Sequence, residues 1–148
     1  MALSLVETKQ YKVDVNEPSV VEFFHIDEWR YLVSAFLLLS DVGPEQAPLV
    51  YLKGSHKLRR WRIAKEQDFF FQYSRDSSGT ELNDETPYCG CFLPTDVHRI
   101  QRLYGYEQLS CEASAGTLII FDNLGLHRAS RLIDGHRLLL SSYWMLPR

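Results

Sequence analysis

The run Phe23-Phe24-His25-Ile26-Asp27 ends a hydrophobic stretch by setting an imidazole and a carboxylate two positions apart. On a β-strand alternate side chains share a face, so His25 and Asp27 would project together and could grip one ion. The competing reading is a strand end whose polar groups simply meet water. Two protein ligands hold a metal poorly, and a third should sit on a strand or a rigid loop. His127 qualifies, because it follows the β-rich run Thr117 to Phe121 and a short loop containing Gly125. Together His25, Asp27 and His127 would form a two-histidine, one-carboxylate set, which suits Fe(II) and leaves coordination positions open. Arg137 lies ten residues after His127. On an inward-facing strand its guanidinium is suited to bidentate capture of the carboxylate of an anionic cosubstrate.

The rest of the chain must hold these groups. At 148 residues it is long enough for one domain with a real core. Hydrophobic residues at 45% and charged residues at 24% argue for a folded chain rather than extended disorder. A net charge of -3 does not favour nucleic acid or an anionic membrane surface. No apolar run reaches membrane-spanning length, and the first residues lack a basic region followed by a full apolar one, so a cytoplasmic protein is expected. Of the three cysteines, Cys89 and Cys91 are separated by Gly90 and Cys111 stands alone. This is no spaced framework, and the cysteines are assigned no chemistry.

Residues through Gln10 show no clear period. Alternation over Tyr11 to Val15 predicts a short strand, Asn16 to Ser19 a turn, and Val20 to Asp27 a second strand. Tyr31 to Ser40 is a nearly continuous apolar run closed by Asp41-Val42-Gly43-Pro44, which predicts a central strand, with Pro48 to Leu52 another. Leu58, Trp61 and Ala64 recur at helical spacing, predicting a helix over Lys57 to Phe71 with Ser55 as its N-cap. Lys53, Lys57, Arg59, Arg60, Arg62 and Lys65 cluster here and read as a solvated face, with guidance of an anionic substrate as the alternative. Tyr73 to Pro94 reads as an inserted loop. Asp96 to Tyr104 predicts a helix capped by Thr95 or Asp96 and stopped by Gly105, with His98 exposed on it. Strands are then expected over Glu107 to Ala113, Thr117 to Phe121 and His136 to Met145. A turn at Ser114-Ala115-Gly116 and a loop over Asp122 to Leu126 would connect them. The last strand puts Arg137, Leu139, Ser141 and Tyr143 on one face. Strands dominate, and a sandwich or barrel with peripheral helices follows.

At this point the chain resembles the phytanoyl-CoA dioxygenase-like Fe(II)/2-oxoglutarate-dependent oxygenases. The resemblance rests on Phe24-His25-Ile26-Asp27-Glu28, Gly54-Ser55-His56, Gly116 to Phe121 leading to His127, and Arg137. It runs from about Val20 to Tyr143. It implies a double-stranded β-helix, or jelly-roll, as a single domain over residues 1–148. It further implies that His25, Asp27 and His127 bind Fe(II), that Arg137 pairs with the distal carboxylate of 2-oxoglutarate, and that Ser141 assists by hydrogen bonding. Gly54-Ser55-His56 reads as a turn and helix cap, with His56 structural or exposed. The implied reaction uses O2, converts 2-oxoglutarate to succinate and hydroxylates a C–H bond. Because Asp27 keeps the carboxylate that related halogenases replace with a small residue, hydroxylation is the expected outcome.

Members of that family have a longer segment before the His-x-Asp strand, whereas 24 residues precede His25 here. The expectation is therefore a minimal form, a fragment, or a chain whose core is completed by a homo-oligomer or another partner. Two alternatives stand beside the oxygenase: a non-catalytic jelly-roll binding module, and a cupin-like metalloenzyme that does not use 2-oxoglutarate. Arg137 argues against the latter. Candidate substrate-wall residues are Trp29, Tyr31, Trp61 and the 73–94 loop.

Overall fold

In a computed structural model, residues 2–9, 22–27, 32–64 and 92–145 are described. The expected strand over Tyr11 to Val15, the turn after it, Trp29, Tyr31, and most of the loop after Tyr73 lie outside the described residues. Among the described residues seven strands carry the fold: β1 (Ala2–Lys9), β2 (Leu32–Leu38), β3 (Leu49–Lys53), β4 (Glu107–Cys111), β5 (Leu118–Asp122), β6 (His127–Ala129) and β7 (His136–Met145). They form two sheets, ordered β1-β7-β2-β5 and β4-β3-β6, and every pairing is antiparallel. This is the mainly β architecture that the strand pattern predicts, with the jelly-roll core that the family resemblance implies.

The apolar run after Tyr31 becomes β2, the strand between β7 and β5, as its unbroken hydrophobicity demands. The N-terminal residues, which carry no period, form β1 along β7, in register from Ala2 opposite Tyr143 to Lys9 opposite His136. Pairing with a long neighbour has ordered a strand whose own pattern is weak.

The inner faces of the sheets meet through aromatic rings. Phe121 on β5 packs edge-on against Phe36 on β2, with centroids 5.0 Å apart, and reaches Tyr51 on β3 at 6.2 Å. Deeper between the sheets, Leu38, Val42 and Leu139 close the space with Val6, Phe36 and Ile119. The opposite face of β3 turns outward: Val50 and Leu52 pack with Phe24, Ile26, Phe92 and Leu126 beneath the helix α1 (Pro94–Tyr104). Val97, Ile100 and Tyr104 lie on one side of α1 and cover this second core. Pro94 sits in the first turn, where its missing N–H costs nothing, and Gly105 ends the helix at φ 65. The expected Thr95 or Asp96 cap is not formed. Leu93 occupies the N-cap with no side-chain hydrogen bond.

Two further expectations change. Residues 22–27 are not a strand; His25 makes a single antiparallel bridge to His127, while the Phe24 carbonyl accepts from Phe92 N–H at 2.8 Å. The Phe24 carbonyl lies on the edge away from His127, and that edge is held by a loop residue rather than by a strand. The alternation survives, because Phe24 and Ile26 bury toward α1 while His25 and Asp27 turn to the other side. The helix expected from Lys57 begins at Arg60, leaving Leu58 exposed, and Ser55 does not cap it. Residues beyond Ala64 lie outside the described ones. Among the described residues no helix is long and apolar enough to cross a membrane.

Candidate metal centre

His25, Asp27 and His127 come together between the sheets. The His25–His127 bridge is made by two backbone hydrogen bonds, 2.9 and 3.1 Å, which set the two rings 4.5 Å apart. His25 Nε2 lies 3.4 Å from Asp27 Oδ1, and His127 Nε2 lies 3.5 Å from Asp27 Oδ2. One potential donor atom from each of the three residues lies within 4.8 Å of the others.

The far nitrogens of both rings are engaged. His25 Nδ1 is 2.8 Å from the Phe23 carbonyl and His127 Nδ1 is 2.9 Å from the Gly125 carbonyl. A carbonyl oxygen only accepts, so each Nδ1 carries a hydrogen, and Nε2 is the ring nitrogen turned toward Asp27. Two imidazoles thus aim the same nitrogen at one carboxylate, an arrangement that a cation between them would complete. Ligand atoms about 2.1 Å from a shared ion and roughly 90–110° apart are separated by about 3.0–3.4 Å, close to the spacings found here. The donor set fits Fe(II) or another borderline divalent ion.

The charges agree with this reading. Burial pushes the Asp27 carboxyl up, but hydrogen bonds from His127 and His25 and the charges of both rings hold it well below the usual carboxylate range. Burial pulls His25 down, yet the Asp27 hydrogen bond, the Phe23 carbonyl and the Asp27 charge outweigh it and leave its pKa raised.

Arg137 points inward from β7, as expected. Its Nη1 donates to the Ala47 carbonyl and its Nη2 donates to Thr8 Oγ1 at 3.2 Å. Its Nε is buried without a partner, and among the described residues no carboxylate pairs with the guanidinium, whose pKa burial lowers. A guanidinium with a buried, unused Nε–H and no counter-ion among the described residues is matched to an anionic ligand. Ser141 is buried on the same face, its hydroxyl 3.4 Å from the Ser4 carbonyl on β1. Next along that face is Tyr143, whose pKa is raised by burial and by the Asp27 charge, against a hydrogen bond with Ser141. The β7 face therefore leads from Arg137 toward the three candidate ligands.

Of the other residues singled out, His98 is exposed and His56 half-buried. Trp61 packs against Phe92 and reaches Tyr106 on the α1 side of β3, away from the triad. Arg62 is buried rather than solvated. Spacing alone did not reveal Thr8, Tyr51 or Gly125. Tyr51 donates to the Asp122 carbonyl at 3.1 Å and fills the space beside Gly125, where a Cβ would lie 1.9 Å from its oxygen.

No family model matches the chain and no curated protein matches it. Solved structures do. AviO1 from Streptomyces viridochromogenes Tue57 superposes with a TM-score of 0.57 at 15% identity, covering 99% of this chain and 50% of its own. The epimerase SnoN, in complex with Fe3+, alpha ketoglutarate and nogalamycin RO, gives 0.55 at 17%, covering 97% and 48%. An N-substituted L-amino acid dioxygenase from Burkholderia ambifaria AMMD gives 0.52 at 12%, covering 97% and 49%. The chain thus spans about half the length of these proteins, and what it shares with them is the jelly-roll fold.

Proposed function

We propose that this chain is a non-haem Fe(II)/2-oxoglutarate-dependent oxygenase, of the phytanoyl-CoA dioxygenase-like kind, that hydroxylates a C–H bond of a small or acyl-type substrate. One observation carries the reading: two imidazoles, each tied through Nδ1 to a carbonyl, aim Nε2 at one carboxylate. That SnoN was solved with Fe3+ and alpha ketoglutarate, and that the Burkholderia protein is named a dioxygenase, supports it.

In this reading His25, Asp27 and His127 would hold the iron. When bound, iron with 2-oxoglutarate and O2 supplies the oxidising power: one oxygen atom goes into succinate as CO2 leaves, and the other into the hydroxylated product. Arg137 takes the distal carboxylate through Nε, while Thr8 and the Ala47 carbonyl keep the guanidinium from rotating. Ser141, further along the same face of β7, would assist by hydrogen bonding. Phe36, Phe121 and Tyr51 line the space between the sheets and exclude water from the reacting groups.

Anaerobic titration with Fe(II) and then 2-oxoglutarate is the direct test. A visible metal-to-ligand charge-transfer band is expected, followed by succinate formation once oxygen and a substrate are supplied. Iron binding with no such band would replace this reading with a cupin-like metalloenzyme. A band with no succinate, even uncoupled from substrate, would replace it with a binding module.

A further inference from the structure

The basic segment after β3 contains one cation that does not face water. Arg62 is 2% exposed, in contrast to its exposed neighbours Arg59 and Arg60. Its Nη2 donates to the Ser55 carbonyl at 2.8 Å and also to the Leu124 carbonyl. Ser55, fully buried, uses its hydroxyl twice: it donates to the Leu52 carbonyl at 2.6 Å and accepts from Leu126 N–H at 2.7 Å. Leu52 N–H in turn donates to the Leu126 carbonyl at 2.9 Å. Two residues more than sixty positions upstream therefore grip Leu124 and Leu126 from one side.

Gly125 lies between those two anchor points, and its carbonyl is the group that holds His127 Nδ1. From the other side, the loop is held by Leu124 N–H to Asp122 Oδ1 at 2.9 Å and Gly125 N–H to the Asp122 carbonyl at 3.0 Å. Without the upstream grip, the Leu126 amide would be buried and unsatisfied, and the Leu124 carbonyl would lose its donor. The loop would then turn to recover partners, and the Gly125 carbonyl would turn with it.

We propose that Ser55 and Arg62 form a latch that positions His127, by fixing the Leu124–Leu126 backbone so that the Gly125 carbonyl holds the ring with Nε2 toward Asp27. Neither residue touches the candidate metal ligands; both are positioning residues. The latch gives a role to the Gly54-Ser55-His56 turn and to Arg62. Its value for catalysis rests on the metal-centre reading, but the geometry it enforces does not.

The test uses the full chain with two readouts. In the metal-free protein, histidine-ring 15N NMR should show His127 with its hydrogen on Nδ1. In Ser55→Ala and Arg62→Met that signal should move toward a mixture of ring tautomers while the His25 signal stays. In Co(II) titrations the same variants should bind about 10–100-fold more weakly, the loss typical when a group orienting a metal-bound histidine is removed. Val97→Ala, which loosens the packing under α1, should keep wild-type Co(II) affinity and so separates positioning from general loss of stability. Because one nitrogen donates to both the Ser55 and the Leu124 carbonyls, a lysine ammonium can serve the same two acceptors, and Arg62→Lys should restore both readouts. If Arg62→Met does not fold, Ser55→Ala, which removes a single hydroxyl, decides the matter alone. Folded variants with an unmoved His127 signal and wild-type Co(II) affinity would overturn the latch. A wild-type protein that binds no Co(II) while its His127 signal responds to the variants would instead remove the metal reading and leave the latch standing.

Discussion

Among the described glycines Gly125 has the least room for a side chain, and Gly125→Ala measures how strictly the site depends on it. Its φ lies outside the left-handed region, so the backbone itself tolerates alanine. The new Cβ, however, would lie 1.9 Å from Tyr51 Oη, 2.2 Å from Cζ and 2.7 Å from Cε2. Ordinary carbon contacts are about 3.5–4.0 Å, so ring and loop must separate by more than about 1 Å. Tyr51 cannot retreat freely, since Phe121 stands against its ring and its hydroxyl is bonded to the Asp122 carbonyl. Overpacking of this kind costs about 1–3 kcal/mol, and the upper end is expected because both partners are held. At about 2–4 °C per kcal/mol for a chain of this size, the melting temperature should fall by about 5–10 °C. Because the displaced carbonyl is the one that orients His127, Co(II) affinity should fall about 10-fold or more. Thermal melts and Co(II) titrations of Gly125→Ala, Tyr51→Ala and the double variant close a mutant cycle. In the Tyr51→Ala background the Cβ enters vacated space and Gly125→Ala should cost little further stability. An equal cost in both backgrounds would refute the steric argument.

Asp27→Ala should reduce Fe(II) or Co(II) binding by at least about 100-fold, and should also drop the His25 pKa below its ordinary 6.5, since burial then acts without the hydrogen bond and charge that outweigh it. NMR titration of a folded variant whose His25 pKa stays raised would contradict the assigned pairing. Metal affinity should weaken as pH falls through the raised His25 pKa, beginning above 6.5, because the proton and the metal compete for Nε2; isothermal titration at a series of pH values checks this. Without metal the sign for folding stability is opposite for His25: the raised pKa contributes fully below pH 6.5 and its contribution is lost as pH rises through the folded value. The depressed Asp27 contributes above its ordinary 3.8 and loses that contribution in strong acid, so urea midpoints of the metal-free protein should fall on both sides of mildly acidic pH. Arg137→Met should raise the 2-oxoglutarate KM by about 10–100-fold, the worth of a charge-assisted hydrogen-bonded pair, while Fe(II) affinity stays within about twofold. An unchanged KM would remove Arg137 from cosubstrate binding.

Much of this was determined by sequence alone. Alternating and unbroken apolar runs marked β2, β3, β5 and β7, because side-chain direction in a strand follows a two-residue period whatever the neighbours. The alternation that pairs His25 with Asp27 and the shared face of Arg137, Leu139 and Ser141 were legible for the same reason, whereas the meeting of His127 with the pair was set by the fold. The tertiary structure decided what no local pattern encodes. It made β1 a strand by laying it along β7, and it held the segment around His25 by a single bridge to His127 on one edge and by a bond from Phe92 on the other. It also withdrew Arg62 from the solvated face that its basic neighbours predict and buried Ser55 away from the helix cap that its position predicts. Both are bound to a loop more than sixty residues away. Such partners are chosen by chain reversal and close packing, so their sequence separation carries no period from which to read them. Which histidine nitrogen faces the metal position depends in turn on a carbonyl placed by that packing. The identity of the candidate ligands is therefore written in the chain, and their orientation is written in the fold.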